Sequence, residues 1–241
     1  MVSRWLVALC LLSWSCGASD SADRAQRTRG AGAGMLDGAA LEADTASPAP
    51  VAVPADAPVV AFLGDSIGAG LHLAEHQAFP AVLARRMAEE GLAFRLVNAS
   101  ESGRTTAGAL TALDWVFRSE PDVVVLEIGG NDGLRGIDLE TVEANLRSLI
   151  EASRERGARV LLLGVRMPPN YGSYAASFDA LYPRLASEYG LAFVPYFMEG
   201  VGGVPEQNLP DGLHPTPQGH EHLADTVEET LRSLLLQLRS S

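Results

Sequence analysis

The sequence predicts a three-layer α/β/α domain built on a five-stranded parallel sheet. Two observations predict it. From Val59 onward, short apolar runs alternate with amphipathic segments of helical length, which is the order of right-handed βαβ units. The first run, Val59-Val60-Ala61-Phe62-Leu63, has no polar position, as expected of a strand covered on both faces. It stops abruptly in Gly64-Asp65-Ser66-Ile67-Gly68-Ala69-Gly70. Ligands and reactive groups in open parallel sheets gather at the carboxyl ends of strands. Ser66 therefore stands where a nucleophile would be useful.

The elements follow in order. Residues 79–90 are amphipathic and meet Gly91, a C-cap signal. Residues 94–97 form the second strand, and a helix over 106–118 stops before Pro121. The third strand, 123–128, is the most β-branched run in the chain. A helix over 139–156 closes at Gly157 and leads to a fourth strand at 160–163. One helix over 174–189 closes at Gly190, a fifth strand covers 192–194, and residues 217–238 hold a final helix. No internal repeat is present.

Ahead of this domain, 58–241, lie two segments of different composition. Residues 1–16 carry Arg4 followed by the apolar run Trp5 to Leu12. That run is too short to span a hydrocarbon core of about 30 Å, but it suits a secretory signal peptide. It ends in Ser13-Trp14-Ser15-Cys16, which resembles the lipobox of bacterial lipoproteins, with Cys16 as the lipidated residue. The usual leucine three places before the cysteine is Ser13 here, and cleavage near Ala18 is the alternative. Residues 17–57 are rich in Ala, Gly, Ser, Asp and Pro and are expected to form a disordered tether. The expected location is outside a bacterial cytoplasm, on a lipid anchor or else periplasmic or secreted.

Composition excludes several chemistries. Both cysteines, Cys10 and Cys16, lie in the leader, so the domain has no disulfide, thiolate nucleophile or cysteine metal site. At roughly 180 residues it is large enough to be stable without staples. The formal charge is -12, and every basic residue counted as Lys or Arg is arginine. An acidic domain without a basic cluster is a poor nucleic-acid binder. Without lysine there is no Walker lysine, Schiff-base lysine or Ser-Lys dyad.

Three further polar segments fall at strand ends: Asn98 to Thr106, Gly129 to Gly136, and Asp211-Gly212-Leu213-His214-Pro215. Each alone is ordinary loop sequence. With Ser66 they supply the parts for acyl transfer. Ser66 would attack a carbonyl, His214 would take the proton and return it to the leaving group, and Asp211 would hold the imidazole tautomer. The amides of Ser66 and Gly103, with the Asn131 carboxamide, would stabilise the oxyanion. Asp65 is read as holding its turn by hydrogen bonds. His72 and His76 are read as surface or packing residues. A metal site from His214, His220 and His222 is weighed and set aside, since residues two apart do not share a helix face.

Gly-Asp-Ser, Gly103, Gly-Gly-Asn-Asp and Asp-x-x-His, in that order, resemble the four blocks of the SGNH (GDSL-type) hydrolases. The longer stretches 129–136 and Arg166-Met167-Pro168-Pro169-Asn170-Tyr171-Gly172 are similar to the bacterial thioesterase I, lysophospholipase L1 and arylesterase branch. The resemblance runs from about Val59 to the C-terminus. It implies Ser66 as nucleophile, Asp211 and His214 as the rest of a triad, and Ser66, Gly103 and Asn131 as the oxyanion hole. It also implies a flavodoxin-like strand order 2-1-3-4-5 and no metal or cofactor. The glycine-rich segment 200–207 departs from the family pattern, which bears on the substrate rim.

Ile67, Leu134, Ile137, Met167, Pro168 and Tyr171 flank the blocks and are expected to line a pocket for a medium acyl chain. The expected substrates are esters, thioesters or lysophospholipids, and the expected state is a monomer. Two other classes use the same residues differently: a carbohydrate O-deacetylase with an open rim, and a non-catalytic surface module that keeps only the fold.

Overall fold

The computed structural model describes residues 52–240. The leader, most of the tether and Cys16 lie outside the described residues. Five parallel strands form the sheet: β1 Val59–Gly64, β2 Arg95–Asn98, β3 Val123–Glu127, β4 Arg159–Leu163 and β5 Ala192–Val194. Their order is β2-β1-β3-β4-β5. Val60 pairs with Leu96 on one side and Val123 on the other, and Val125 pairs with Leu161. Every residue of β1 and β3 is buried, which is why these runs carry almost no polar residue.

Among the described residues there are seven α-helices: α1 Phe79–Glu89, α2 Thr106–Val116, α3 Gly130–Leu134, α4 Leu139–Glu155, α5 Ser173–Asp179, α6 Leu181–Tyr189 and α7 Pro217–Arg239. Right-handed crossovers place α1 on one face and the helices after β2, β3 and β4 on the other. Accordingly α1 packs against α7, and α2 against α4. Arginine forks tie each layer. Arg86 of α1 reaches Glu221, Asp225 and Glu228 of α7 at 2.6, 2.6 and 3.0 Å, and Glu143 of α4 receives Arg147 at 2.9 Å and Arg184 of α6 at 2.6 Å. Thr105, Asp138 and Thr216 cap α2, α4 and α7 through their side-chain oxygens.

Three details differ from the sequence expectation. The helix expected over 174–189 is two helices, broken at Ala180. Pro183 has no N–H to donate, and its ring would clash with the carbonyl four residues back, at Asp179. The helix expected over 106–118 tightens to a 3-10 turn at Phe117–Ser119. The segment after β3, expected as loop, holds the short helix α3.

The order of strand addition reverses at β1: β2 is added on one side of it and β3, β4 and β5 on the other. This is a topological switch point, where the crevice of such a sheet opens.

Candidate active site

The site is built from the segments that leave the carboxyl ends of the strands. After β1 the chain enters a tight turn in which Ala69 N donates to Asp65 O and Leu71 N to Ser66 O, both at 3.0 Å. Asp65 Oδ1 accepts the Ile67 amide at 3.0 Å, so Asp65 holds the turn as expected. Beneath it lies Glu127, the last residue of β3 and 2% exposed. Its Oε2 accepts the amides of Asp65 at 3.2 Å and Gly68 at 3.0 Å. A Cβ at Gly64 would stand 2.4 Å from that same oxygen. Glycine there lets the carboxyl reach the backbone of the turn.

Burial, then the neighbouring Asp65, push the Glu127 carboxyl well above the usual range, and burial also raises Asp65. Two carboxyls in one dry site cannot both ionise readily. Asp65 Oδ2 accepts Asn131 Nδ2 at 3.2 Å. Arg135 donates to Gly103 O at 3.1 Å and, at 3.5 Å, to Asn131 Oδ1. These contacts set the Asn131 amide with its nitrogen toward Asp65 and its oxygen toward Arg135. They also join the Gly103 loop to α3. Among the described residues, the amides of Ser66 and Gly103 donate to no protein acceptor. The left-handed Gly129 (φ 115°) starts α3, and a Cβ there would lie 2.1 Å from the Tyr182 hydroxyl, which donates to Ile128 O at 2.8 Å.

From the other side comes the segment between β5 and α7. An antiparallel bridge between Asn208 and Pro215 closes it, with Leu209 N donating to His214 O at 2.7 Å. At its tip, Asp211 Oδ1 accepts the amides of Leu213 and His214 at 2.9 and 3.0 Å. Its Oδ2 lies 2.7 Å from His214 Nδ1, and His214 Nε2 lies 3.0 Å from Ser66 Oγ. The His214 amide and ring, with the Leu213 amide, hold the Asp211 carboxyl well below the usual range. An ionised Asp211 fixes the proton on Nδ1 and leaves the Nε2 lone pair facing the serine hydroxyl.

Ser66 also borders a cavity of about 470 Å³, within the size range of small-molecule sites. Of the six residues named from the sequence, Ile67, Leu134, Met167 and Pro168 line it. Ile137 and Tyr171 do not: Ile137 packs against the core, and the Tyr171 hydroxyl donates to Leu134 O at 3.2 Å, bracing the rim from outside. Phe197 and Met198 take part in the wall, and Gly202 and Gly203 of the glycine-rich segment line it without side chains. Leu134 and Leu213, 40% and 45% exposed, leave an apolar mouth. Met167→Trp is expected to fill this cavity and move the preferred substrate toward shorter acyl chains, read as kcat/KM against chain length. An unchanged profile would remove Met167 from the acyl wall.

One residue at the site escaped the sequence reading. Glu127 was legible in principle, as an acid closing an otherwise apolar buried strand, where a charge needs partners. His72, read as a surface or packing residue, is exposed. It has a left-handed backbone (φ 72°), and its ring meets that of His214 edge-on, with centroids 5.9 Å apart.

The sheet order, the switch-point crevice and the Asp–His–Ser hydrogen-bond series define the class as SGNH-type hydrolases. The chain belongs to the GDSL-like Lipase/Acylhydrolase family, whose model matches residues 62–222 and so spans all five block residues. It is 44% identical over 183 residues to Esterase TesA of Pseudomonas aeruginosa, covering 75% of this chain and 91% of that one. It is 36% identical over 183 residues to Thioesterase 1/protease 1/lysophospholipase L1 of Escherichia coli K12, covering 75% and 86%. A crystal structure of TesA superposes with a TM-score of 0.71 at 43% identity, covering 73% of this chain and 99% of that one.

Proposed function

We propose that the chain hydrolyses carboxylic esters or thioesters with an apolar acyl or aryl part, through an acyl-enzyme on Ser66. The supporting observation is the unbroken series from Asp211 through His214 to Ser66, at 2.7 and 3.0 Å. Ser66 Oγ attacks the carbonyl carbon while its proton passes to His214 Nε2. The resulting oxyanion is held by the amides of Ser66 and Gly103 and by the Asn131 carboxamide. Collapse breaks the ester bond, and the alcohol or thiol leaves with the proton from His214. Water, deprotonated by His214, then attacks the acyl group and frees Ser66.

The apolar cavity beside Ser66 favours an acyl chain over a bare acetyl group, so the O-deacetylase reading ranks second. The name lysophospholipase L1, carried by the Escherichia coli relative, is consistent with this choice. For the rest of the molecule we propose an exported monomer, carried on the tether 17–57 and anchored through Cys16. The leader pattern supports this. Among the described residues no helix is long and apolar enough to cross a membrane.

The test is hydrolysis of p-nitrophenyl acyl esters from acetate to palmitate, beside labelling with an ethyl phosphonate. Turnover favouring medium chains and a single phosphonyl group on Ser66 are expected. A folded protein that neither turns over any ester nor takes the label is not a serine esterase. Turnover of acetate alone would favour the deacetylase.

A further inference from the structure

His72 has no part in acyl transfer as described above, yet the fold holds it against the catalytic imidazole. We propose that His72, Asp211 and His214 form an inhibitory site for a divalent transition-metal ion of the zinc type. One ligand atom from each of the three lies within 4.8 Å of the others. Tetrahedral zinc spaces its ligands about 3.4 Å apart, given bond lengths near 2.1 Å. Asp211 is held by its hydrogen bonds, and rotation of the exposed His72 side chain closes that gap.

The placement of His72 has a structural cost. Among the described residues only His72 and Glu120 take a positive φ without being glycine. Glu120 ends a 3-10 turn far from the site in sequence. His72 follows Gly70, itself left-handed (φ 64°), in the turn that begins at Ser66. Residues held in this region are commonly found where function constrains the backbone. Here the result is a second imidazole edge-on to the first.

The donor set selects the ion. Two imidazoles and one carboxylate suit zinc, copper or nickel, whereas magnesium and calcium prefer all-oxygen shells. The formal charge of -12 raises the local concentration of cations near the surface. With Asp211 at Nδ1, the ion binds His214 at Nδ1 and displaces the proton held there for Asp211. The neutral ring then carries its proton on Nε2, which faces Ser66 Oγ, and cannot accept the serine proton. The inhibition, though not the binding, rests on the reading of Ser66 and His214 as the reacting pair.

The probe is zinc chloride, followed by calorimetry and by ester hydrolysis on the full chain. One zinc ion per chain is expected, with hydrolysis lost in step with occupancy, restored by EDTA, and unaffected by magnesium or calcium. An outer-shell partner alone is worth about 10- to 100-fold in metal affinity. Losing the ligand itself in His72→Ala should therefore weaken binding and inhibition by at least about ten-fold, with the metal-free rate retained. His72→Gly, which relieves the left-handed backbone, should do the same and guards against misfolding of the first variant. No calorimetric binding, or zinc affinity unchanged in both variants, overturns the site. If the metal-free protein hydrolyses no ester, the functional reading fails while calorimetry still decides the metal site.

Discussion

Ser66→Ala is expected to lower kcat for ester hydrolysis by about 10⁶-fold, the scale found when a serine nucleophile is removed from a working triad. The fold should survive. The substitution removes the hydroxyl's hydrogen bond with His214 Nε2, and Ser66 is only half-buried, so stability should change by no more than about 0.5 kcal/mol. Asp211→Asn should cost about 10⁴-fold in kcat, because an amide nitrogen beside Nδ1 favours the wrong imidazole tautomer. Its remaining oxygen can still accept the Leu213 and His214 amides, so the segment keeps its shape. The double variant should be no slower than Ser66→Ala, since the two residues act as a unit. Single-turnover and steady-state rates on one ester decide this. A Ser66→Ala enzyme within about ten-fold of wild type would take Ser66 out of the reaction.

Lowering the pH from about 6.5 to about 4 should cost the fold about 3 kcal/mol through His220 alone, from the gap between its ordinary pKa and its depressed one. His220 is 1% exposed, and its Nδ1 accepts the Phe79 amide at 3.1 Å. Its ring stacks on Phe79 at 6.3 Å. Burial, and then the nearby His214, push its pKa down to about 4. Between that value and its ordinary 6.5, the unfolded chain holds a proton on this ring and the folded chain does not. Stability therefore rises with pH across that window and is flat, for this group, above it. His220→Asn keeps an acceptor for the Phe79 amide but cannot titrate, so its urea midpoint should lack this part of the acid slope. Glu127 contributes with the opposite sign: its raised pKa favours the fold at lower pH and loses that contribution as pH rises. Comparing wild type with His220→Asn cancels it. Equal slopes in the two proteins would assign the acid loss to other groups.

Most of the strand and helix plan was legible because both faces of the central strands are covered. Val59 to Leu63 and Val123 to Leu126 had to be apolar throughout, and glycine or proline marks most boundaries. The break at Ala180 was legible too, in Pro183, but the amphipathic pattern on either side masked it. The blocks that carry Ser66 and Asn131 fall at strand ends, parallel strands bring such ends to one edge, and the Asp211–His214 pair arrives there on the segment between β5 and α7.

What the sequence determined by itself was therefore chemical type and placement: a serine, an imidazole, a carboxylate and amide donors, delivered to one end of a sheet. Their spacing along the chain follows from local turns. Asp211 and His214, three residues apart, share one tip because the Asp211 carboxylate accepts the amides that follow it. Tertiary structure alone decided which flanking side chains form the cavity wall. Ile137 and Tyr171 are near the blocks in sequence, yet core packing and the Leu134 carbonyl turn them away from it. The same holds for Glu127 under the Ser66 turn and for His72 against His214. Each contact spans long sequence separations, and its direction depends on the backbone of a second element. A linear pattern carries periodicity and turn chemistry, but not the angle at which two distant loops meet.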